Sequence, residues 1–390
     1  MPDKDKAYDA LRITRGNRLL LSLDGGGIRG IMTLQMLKKL EQLSGLPCYE
    51  LFDMVAGTST GGIIAGLIAS GKTAAEVESL YVELVRQVFT RKDLVANRFL
   101  NPPEYTKAKY REILKQILLN ATIQDICAKT GTDILITSKD VAAGEETYFT
   151  CFEHEGNYTG TYKDILLRAA LEATMSAPTY FTPLERFVDG GTTTYGNPVM
   201  AAVMEAVRYG PAGKYSTDKL TVFSFGTGCR PQFVPPEKVD KPNGIDALFW
   251  LQWLMTESSD DSSDMQTFLL RSRAFSDLDF RRFNISLDKE SINKLPNREL
   301  GEKAGVEAAW LWDLTDEDVA NIPLDKVSLF PLMQIIGEAM VDFIANAQDP
   351  PFSNDLVDAK GKELLVSRRG DVDRIRTQLS DPEWLDGFEH

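Results

Sequence analysis

Arg18-Leu-Leu-Leu-Ser-Leu-Asp24-Gly-Gly-Gly-Ile-Arg-Gly30 carries the fold decision. An apolar run of this length that stops at a glycine cluster suits a parallel strand buried on both faces and ending in a tight turn. From Ile31 to Leu43 the apolar positions Met32, Leu34, Met36, Leu37, Leu40 and Leu43 recur with helical spacing. Strand, glycine turn and helix then repeat: Leu51 to Ala56 is apolar, Gly57-Thr-Ser-Thr-Gly61 is the turn, and Gly62 to Ala69 reads as a short buried helix. Two such units in about seventy residues predict an α/β fold with a central, mostly parallel sheet wrapped by helices. Further strands are expected at 133–137, 146–152 and 220–225, and further helices at 165–173 and 201–209. No internal repeat is evident.

Composition narrows the class. The chain has 390 residues, 43% hydrophobic and 26% charged, which is globular and not disordered. A formal net charge of −14 gives little attraction for a nucleic-acid polymer and disfavours simple docking on anionic bilayers. Cys48, Cys127, Cys151 and Cys229 are dispersed, as reduced core thiols of a cytosolic protein are. The charged start MPDKDKAYDALRITRGN has no apolar stretch, and no run reaches the roughly 18 apolar residues that a membrane span needs. A soluble, cytoplasmic protein is expected. Residues 90–107 and the acidic, serine-rich 256–264 (TESSDDSSD) read as surface loops, either of which could form a lid. The Arg281-Arg282 pair and the basic cluster Arg91-Lys92 and Arg98 read as solvated, and Phe249-Trp-Leu-Gln-Trp-Leu-Met255 as a core or interface helix with a lipid-facing role as the alternative.

Gly57-Thr-Ser59-Thr-Gly61 has the G-x-S-x-G form in which small neighbours let a serine sit on a sharp turn. Chance alone gives this pattern in roughly one such chain in ten, so its place between an apolar strand and an apolar helix matters. The Asp24–Gly30 stretch can aim backbone N–H groups at an oxyanion, with a following helix adding its positive end. Gly25, Gly27 and Gly30 also fit the dinucleotide pattern G-x-G-x-x-G. Against that, Glu50, the acidic residue at the expected distance, begins the next apolar run instead of ending it, and no Lys-Ser/Thr phosphate pair is present.

A nucleophilic serine needs a base, and the chain has two histidines. His390 is terminal, and His154 lies in a polar stretch, so the base is sought among carboxylates. Asp189 in Phe187-Val-Asp-Gly-Gly191 is best placed, at the end of an apolar run, although an ordinary Asp-Gly turn would read the same.

Together these three motifs resemble the patatin-like phospholipases. Asp24–Gly30 looks like the family's oxyanion motif, Gly57–Gly61 like its nucleophile elbow and Asp189-Gly-Gly191 like its aspartate motif. Met175-Ser-Ala-Pro-Thr-Tyr-Phe181 and Ser224-Phe-Gly-Thr-Gly228 look like family segments on either side of the aspartate. The resemblance covers about residues 16–230 and weakens beyond. It implies a patatin-like three-layer fold, with an N-terminal arm (1–15) and a catalytic domain over 16–349. Within that domain the motif core is 16–230 and a helical C-terminal part is 231–349; a charged tail follows at 350–390.

The resemblance further implies a lipid acyl hydrolase acting on membrane phospholipids or glycerolipids through Ser59 as nucleophile and Asp189 as base. Gly25, Gly26 and Gly27 would supply the oxyanion hole, Arg29, Gly57, Gly61 and Gly190 would support it, and no metal or other cofactor is implied. Lipid transacylation and a non-catalytic lipid-binding or signalling module are the alternatives. Some bacterial members are anti-phage effectors switched on by cyclic nucleotides, and this chain is compatible with such an activator, with homo-oligomerisation and with peripheral membrane contact. A dyad also implies that no titration near 6.5 controls activity.

Overall fold

The computed structural model describes residues 4–88, 105–153, 162–229, 247–295, 325, 327–345, 352 and 372–386. One seven-stranded sheet is built from β1 (Arg18–Leu23), β2 (Met54–Gly57), β3 (Asp133–Asp140), β4 (Glu145–Thr150), β5 (Phe187–Asp189), β6 (Leu220–Phe225) and β7 (Asp279–Phe283). Its order is β4-β3-β2-β1-β6-β7, with β5 also paired to β3. The five strands β3, β2, β1, β6 and β7 run parallel, while β4 and β5 lie antiparallel to β3.

Burial explains the near-continuous apolar run of β1. Flanked by β2 and β6, it sends Leu19, Leu21 and Leu23 into one core and Leu20 into another. The larger core is covered by α1 (Lys4–Ala10), α2 (Gly30–Ser44), α3 (Cys48–Leu51), α4 (Thr60–Ala69), α5 (Ala74–Val88), α6 (Ala108–Leu118), α7 (Ile123–Thr130) and α8 (Leu167–Thr174). The smaller is covered by α9 (Val199–Tyr209) and the end of α10 (Ala247–Leu270). A short α11 (Lys289–Lys294) follows β7, and α12 (Phe330–Ala345) packs on α2. This is the α/β sheet wrapped by helices that the repeated strand-turn-helix units predict, in the three layers that the resemblance implies. Glu50 lies in α3 and not at the end of a strand, so the dinucleotide geometry is absent.

Several expectations are corrected. Residues 256–264 are not a loop but lie within the 24-residue α10. Residues 4–13 are part of the core: Ala7, Tyr8, Leu11 and Ile13 are buried in the main cluster. Arg281 and Arg282 are 2% and 7% exposed, far from solvated. The window Val327–Ile344, mean hydropathy 1.5, is long and apolar enough to cross a membrane, contrary to the reading of the sequence, yet half of it is buried against the rest of the protein. Residues 90–104, His154, His390, Trp310 and Trp312 lie outside the described residues. The side chains of Phe249–Met255 do as well.

Candidate active site

In an open parallel sheet, ligands bind beyond the carboxyl ends of strands where neighbouring connections leave on opposite faces. Here β1 leads through α2 on one face to β2, while α9 on the other face leads to β6, the opposite neighbour of β1. Asp24 follows β1, Ser59 follows β2 and Gly226 follows β6, so the three segments meet at this point. Asp189 joins them from the antiparallel side, as the last residue of β5.

Ser59 has φ 54° and ψ −124°, a left-handed backbone that a serine adopts only when its surroundings impose it. The surroundings are two close backbone approaches. A Cβ on Gly57 would lie 2.2 Å from the Gly61 carbonyl oxygen, and one on Gly61 would lie 2.4 Å from that of Leu23. Only glycine permits β1, β2 and the start of α4 to meet so tightly, and the turn lifts the serine hydroxyl out of the sheet. The Ser59 N–H donates to Thr174 Oγ1 at 2.7 Å, which holds the elbow from the α8 side.

The Ser59 hydroxyl donates to Asp189 Oδ2 at 2.6 Å. The other carboxylate oxygen, Oδ1, accepts the Gly191 N–H at 2.7 Å, and the Asp189 N–H is fixed on the Ser176 carbonyl at 3.1 Å. Gly190 lies flat against Thr137 of β3. Asp189 is 4% exposed, and burial pushes its carboxyl up to about 6 despite the hydrogen bonds from Ser59 and Gly191, which pull it down. A carboxylate of this basicity can accept the proton of a bonded hydroxyl as that oxygen attacks a carbonyl carbon. Burial thus brings the Asp189 carboxyl close to the range in which the sequence reading expected no titration to control activity.

The glycine loop lies over the serine: a Cβ on Gly25 would be 3.3 Å from Ser59 Cβ. The Gly25 N–H, expected to serve as an oxyanion donor, is instead committed to the Gly196 carbonyl at 2.9 Å, so Gly25 fixes the loop. Thr227 donates to the Gly25 carbonyl at 2.6 Å and presses against Gly26, where a Cβ would lie 2.2 Å from its hydroxyl. Arg29 donates to the carbonyls of Gly26 (3.2 Å) and Gly228 (3.1 Å), and Tyr81 donates to that of Gly27. Arg29 thus supports the loop, as expected from the sequence.

These groups face a cavity of about 580 Å³. One wall is apolar, with Met175, Ala177, Pro178, Tyr180 and Phe181; another is Ser259, Asp260, Ser263 and Asp264 of α10. Burial and the neighbouring Asp260 raise the Asp264 carboxyl. The sequence reading took the acidic wall for a surface loop or lid and Arg282 for a solvated residue, named Thr227 only within the Ser224–Gly228 segment, and missed Thr174. A signal for the wall existed: Ser259 and Ser263, like Asp260 and Asp264, are spaced by one helical turn.

Residues 21–203 match the Patatin family, described as patatin-like phospholipase. Over 241 residues the chain is 32% identical to the 85/88 kDa calcium-independent phospholipase A2 of Mus musculus, covering 58% of this chain and 29% of that protein. Over 205 residues it is 30% identical to the cGAMP-activated phospholipase of Escherichia coli strain TW11681, covering 48% of this chain and 56% of that one. The chain therefore spans less than two thirds of the length of either relative. A human GIVD cytosolic phospholipase A2 bound to methyl gamma-linolenyl fluorophosphonate aligns with a TM-score of 0.41 at 10% identity, over 93% of this chain and 63% of that one. The glycine loop, the Ser59 elbow and Asp189 all lie inside the span, residues 21–203, that matches the patatin-like phospholipase family.

Proposed function

We propose that the protein is a serine acyl hydrolase that cleaves fatty acyl esters of phospholipids or related glycerolipids through the pair Ser59 and Asp189. The observation that carries this reading is the 2.6 Å hydrogen bond from the serine hydroxyl to a buried, basic carboxylate at a strained elbow. Ser59 Oγ attacks the ester carbonyl carbon and its proton passes to Asp189. The resulting oxyanion is held by the N–H groups of Gly26 and Gly27, since that of Gly25 is engaged elsewhere. Collapse expels the lysolipid or alcohol, which takes the proton from Asp189 and leaves Ser59 acylated. Water then gives a proton to Asp189 as it attacks the acyl carbon; the fatty acid leaves and the proton returns to Ser59. The apolar wall from Met175 to Phe181 suits an acyl chain.

The setting we propose is cytoplasmic, with peripheral contact to membranes during turnover. The name of the Escherichia coli relative includes activation by cGAMP, which supports a cyclic-nucleotide activator here and a role as a regulated membrane-degrading effector in anti-phage defence. Acyl release from mixed phospholipid vesicles, followed by mass spectrometry with and without cGAMP, tests both levels. Fatty acid release by the wild type and its loss in folded Ser59→Ala and Asp189→Ala variants is the expected result. Acyl groups recovered in new lipids would identify a transacylase instead. No release under any condition, with Ser59 inert to a fluorophosphonate, would identify a non-catalytic lipid-binding or signalling module.

A further inference from the structure

The loop that carries Gly26 and Gly27 has a charged anchor that comes from a part of the chain the family motifs do not reach. We infer that Arg282, on β7, is the positioning residue of the oxyanion loop, acting through Asp24. This inference rests on the reading of Ser59 and the glycine loop given above.

Arg282 Nη1 donates to Asp24 Oδ1 at 2.8 Å and Nη2 to Asp24 Oδ2 at 2.5 Å, a fork-to-carboxylate pairing that fixes orientation as well as distance. Nη1 also donates to Ser224 Oγ at 2.8 Å, and Nη2 to Ser263 Oγ at 3.3 Å. Four of the five guanidinium donors are thereby engaged by protein, so the group holds structure in place and does not wait for substrate. Asp24 immediately precedes the glycines, and its N–H is held by the Phe225 carbonyl at 3.0 Å. With main chain and side chain both fixed, Asp24 sets the direction in which the loop leaves β1. Both partners are buried, Arg282 at 7% and Asp24 at 8% exposure, so neither exchanges its bonds for water. Burial raises the Asp24 carboxyl, and the paired Arg282 guanidinium works against that rise.

The same guanidinium touches Ser263 of α10, the helix that walls the cavity. Arg282 therefore links three elements, the end of β1, the end of β6 and the cavity wall, at one point behind the glycines.

Position and stability separate in a double-mutant cycle. Arg282→Met and Asp24→Asn each leave a partner behind. Arg282→Met strands a buried carboxylate and is the variant most prone to unfold; Asp24→Asn, nearly isosteric, supplies a second reading. The double variant Asp24→Asn/Arg282→Met leaves no unpaired charge, so its Tm recovers relative to Arg282→Met. Its loop still lacks the anchor. The expected result is a fall in kcat of about 100-fold in all three variants, the scale on which oxyanion donors act, with KM changed less than about threefold and with no rescue of kcat in the double variant. Arg282→Lys, which keeps the charge without the fork, is expected to stay low as well.

Recovery of kcat in step with Tm in the double variant would reduce the pair to a structural one and overturn the inference. So would a folded Arg282→Met or Asp24→Asn enzyme with wild-type kcat. Wild-type protein that neither releases acyl groups nor reacts with a fluorophosphonate would instead sink the dyad reading, and this inference with it.

Discussion

A carboxylate serves a serine as base near neutral pH only if its affinity for protons is raised, because an ordinary aspartate near 3.9 is too weak. Asp189 meets that requirement by burial, which lifts it to about 6. Only the ionised form accepts the serine proton, so kcat/KM is expected to rise with pH through about 6 and level off above it. Histidine would give a similar limb, so the discriminating measurement is the same profile on His154→Ala. An unchanged limb assigns the titration to the carboxylate, and a loss of several orders of magnitude in rate would refute the dyad. The same shift costs stability. The folded state holds the Asp189 proton more tightly than the unfolded chain, so this group's contribution is fully present below the ordinary value of 3.8 and is lost as pH rises through about 6. Asp189→Asn, neutral at every pH, should remove turnover and stabilise the fold at pH 8 by up to about 3 kcal/mol, with the gain vanishing near pH 4. Urea unfolding at the two pH values checks this; equal stability gains at both would show that relieved charge burial is not the cause.

At the scale of elements, the Ser59 elbow is where local sequence and tertiary geometry coincide. Its glycines are required by backbone contacts within a few residues or one strand away, so G-x-S-x-G is legible in the sequence itself. Gly61→Ala would place a methyl 2.4 Å from the Leu23 carbonyl oxygen and 2.5 Å from that of Asp24, both rigid backbone atoms. The expected cost is about 1–3 kcal/mol, with displacement of Ser59 from Asp189. Fluorophosphonate labelling of Ser59 should then slow far more than the drop in Tm accounts for, and normal labelling would show that the elbow tolerates a side chain. Helix α10 illustrates the opposite case. Its inward stripe includes Ser262, Gln266 and Leu270, 7%, 4% and 1% exposed, and the first two both donate to the Thr194 carbonyl at 2.7 Å. A helix that buries polar groups against a backbone acceptor shows no apolar periodicity, so TESSDDSSD reads as loop although it walls the cavity. Composition reports what a face is made of, not what it meets.

Across the whole molecule, what the sequence could not show is adjacency between distant segments. Arg281 and Arg282 look alike in the chain, but on a strand successive side chains face opposite ways. Arg282 reaches Asp24 beside the glycine loop, whereas Arg281 lies over the Phe223 ring at 5.1 Å and donates to the carbonyls of Leu11 (2.8 Å), Arg12 (2.9 Å) and Phe352 (3.0 Å). It also pairs with Asp279 at 2.6 Å. The N-terminal segment thus closes over a buried cation, and the sequence reading of an arm missed this because its partners lie about 270 residues away. Arg281→Met leaves those carbonyls without this donor and Asp279 with only the Thr221 hydroxyl of the two side chains that bond it, and should cost about 3–5 kcal/mol. Starting the chain at Thr14 removes Leu11, Arg12 and the buried side chains of Ala7, Tyr8 and Ile13, and should cost several kcal/mol as well. Because two of the carbonyl partners of Arg281 leave with the segment, the two changes overlap, and together they should destabilise by clearly less than their sum. Neither Leu11, Arg12 nor Arg281 lines the cavity, so acyl release per folded molecule should stay at the wild-type level in each variant. Urea unfolding of the four proteins measures the coupling. Strict additivity would mean that the segment and the arginine stabilise the fold independently, and that the clamp is a contact without consequence.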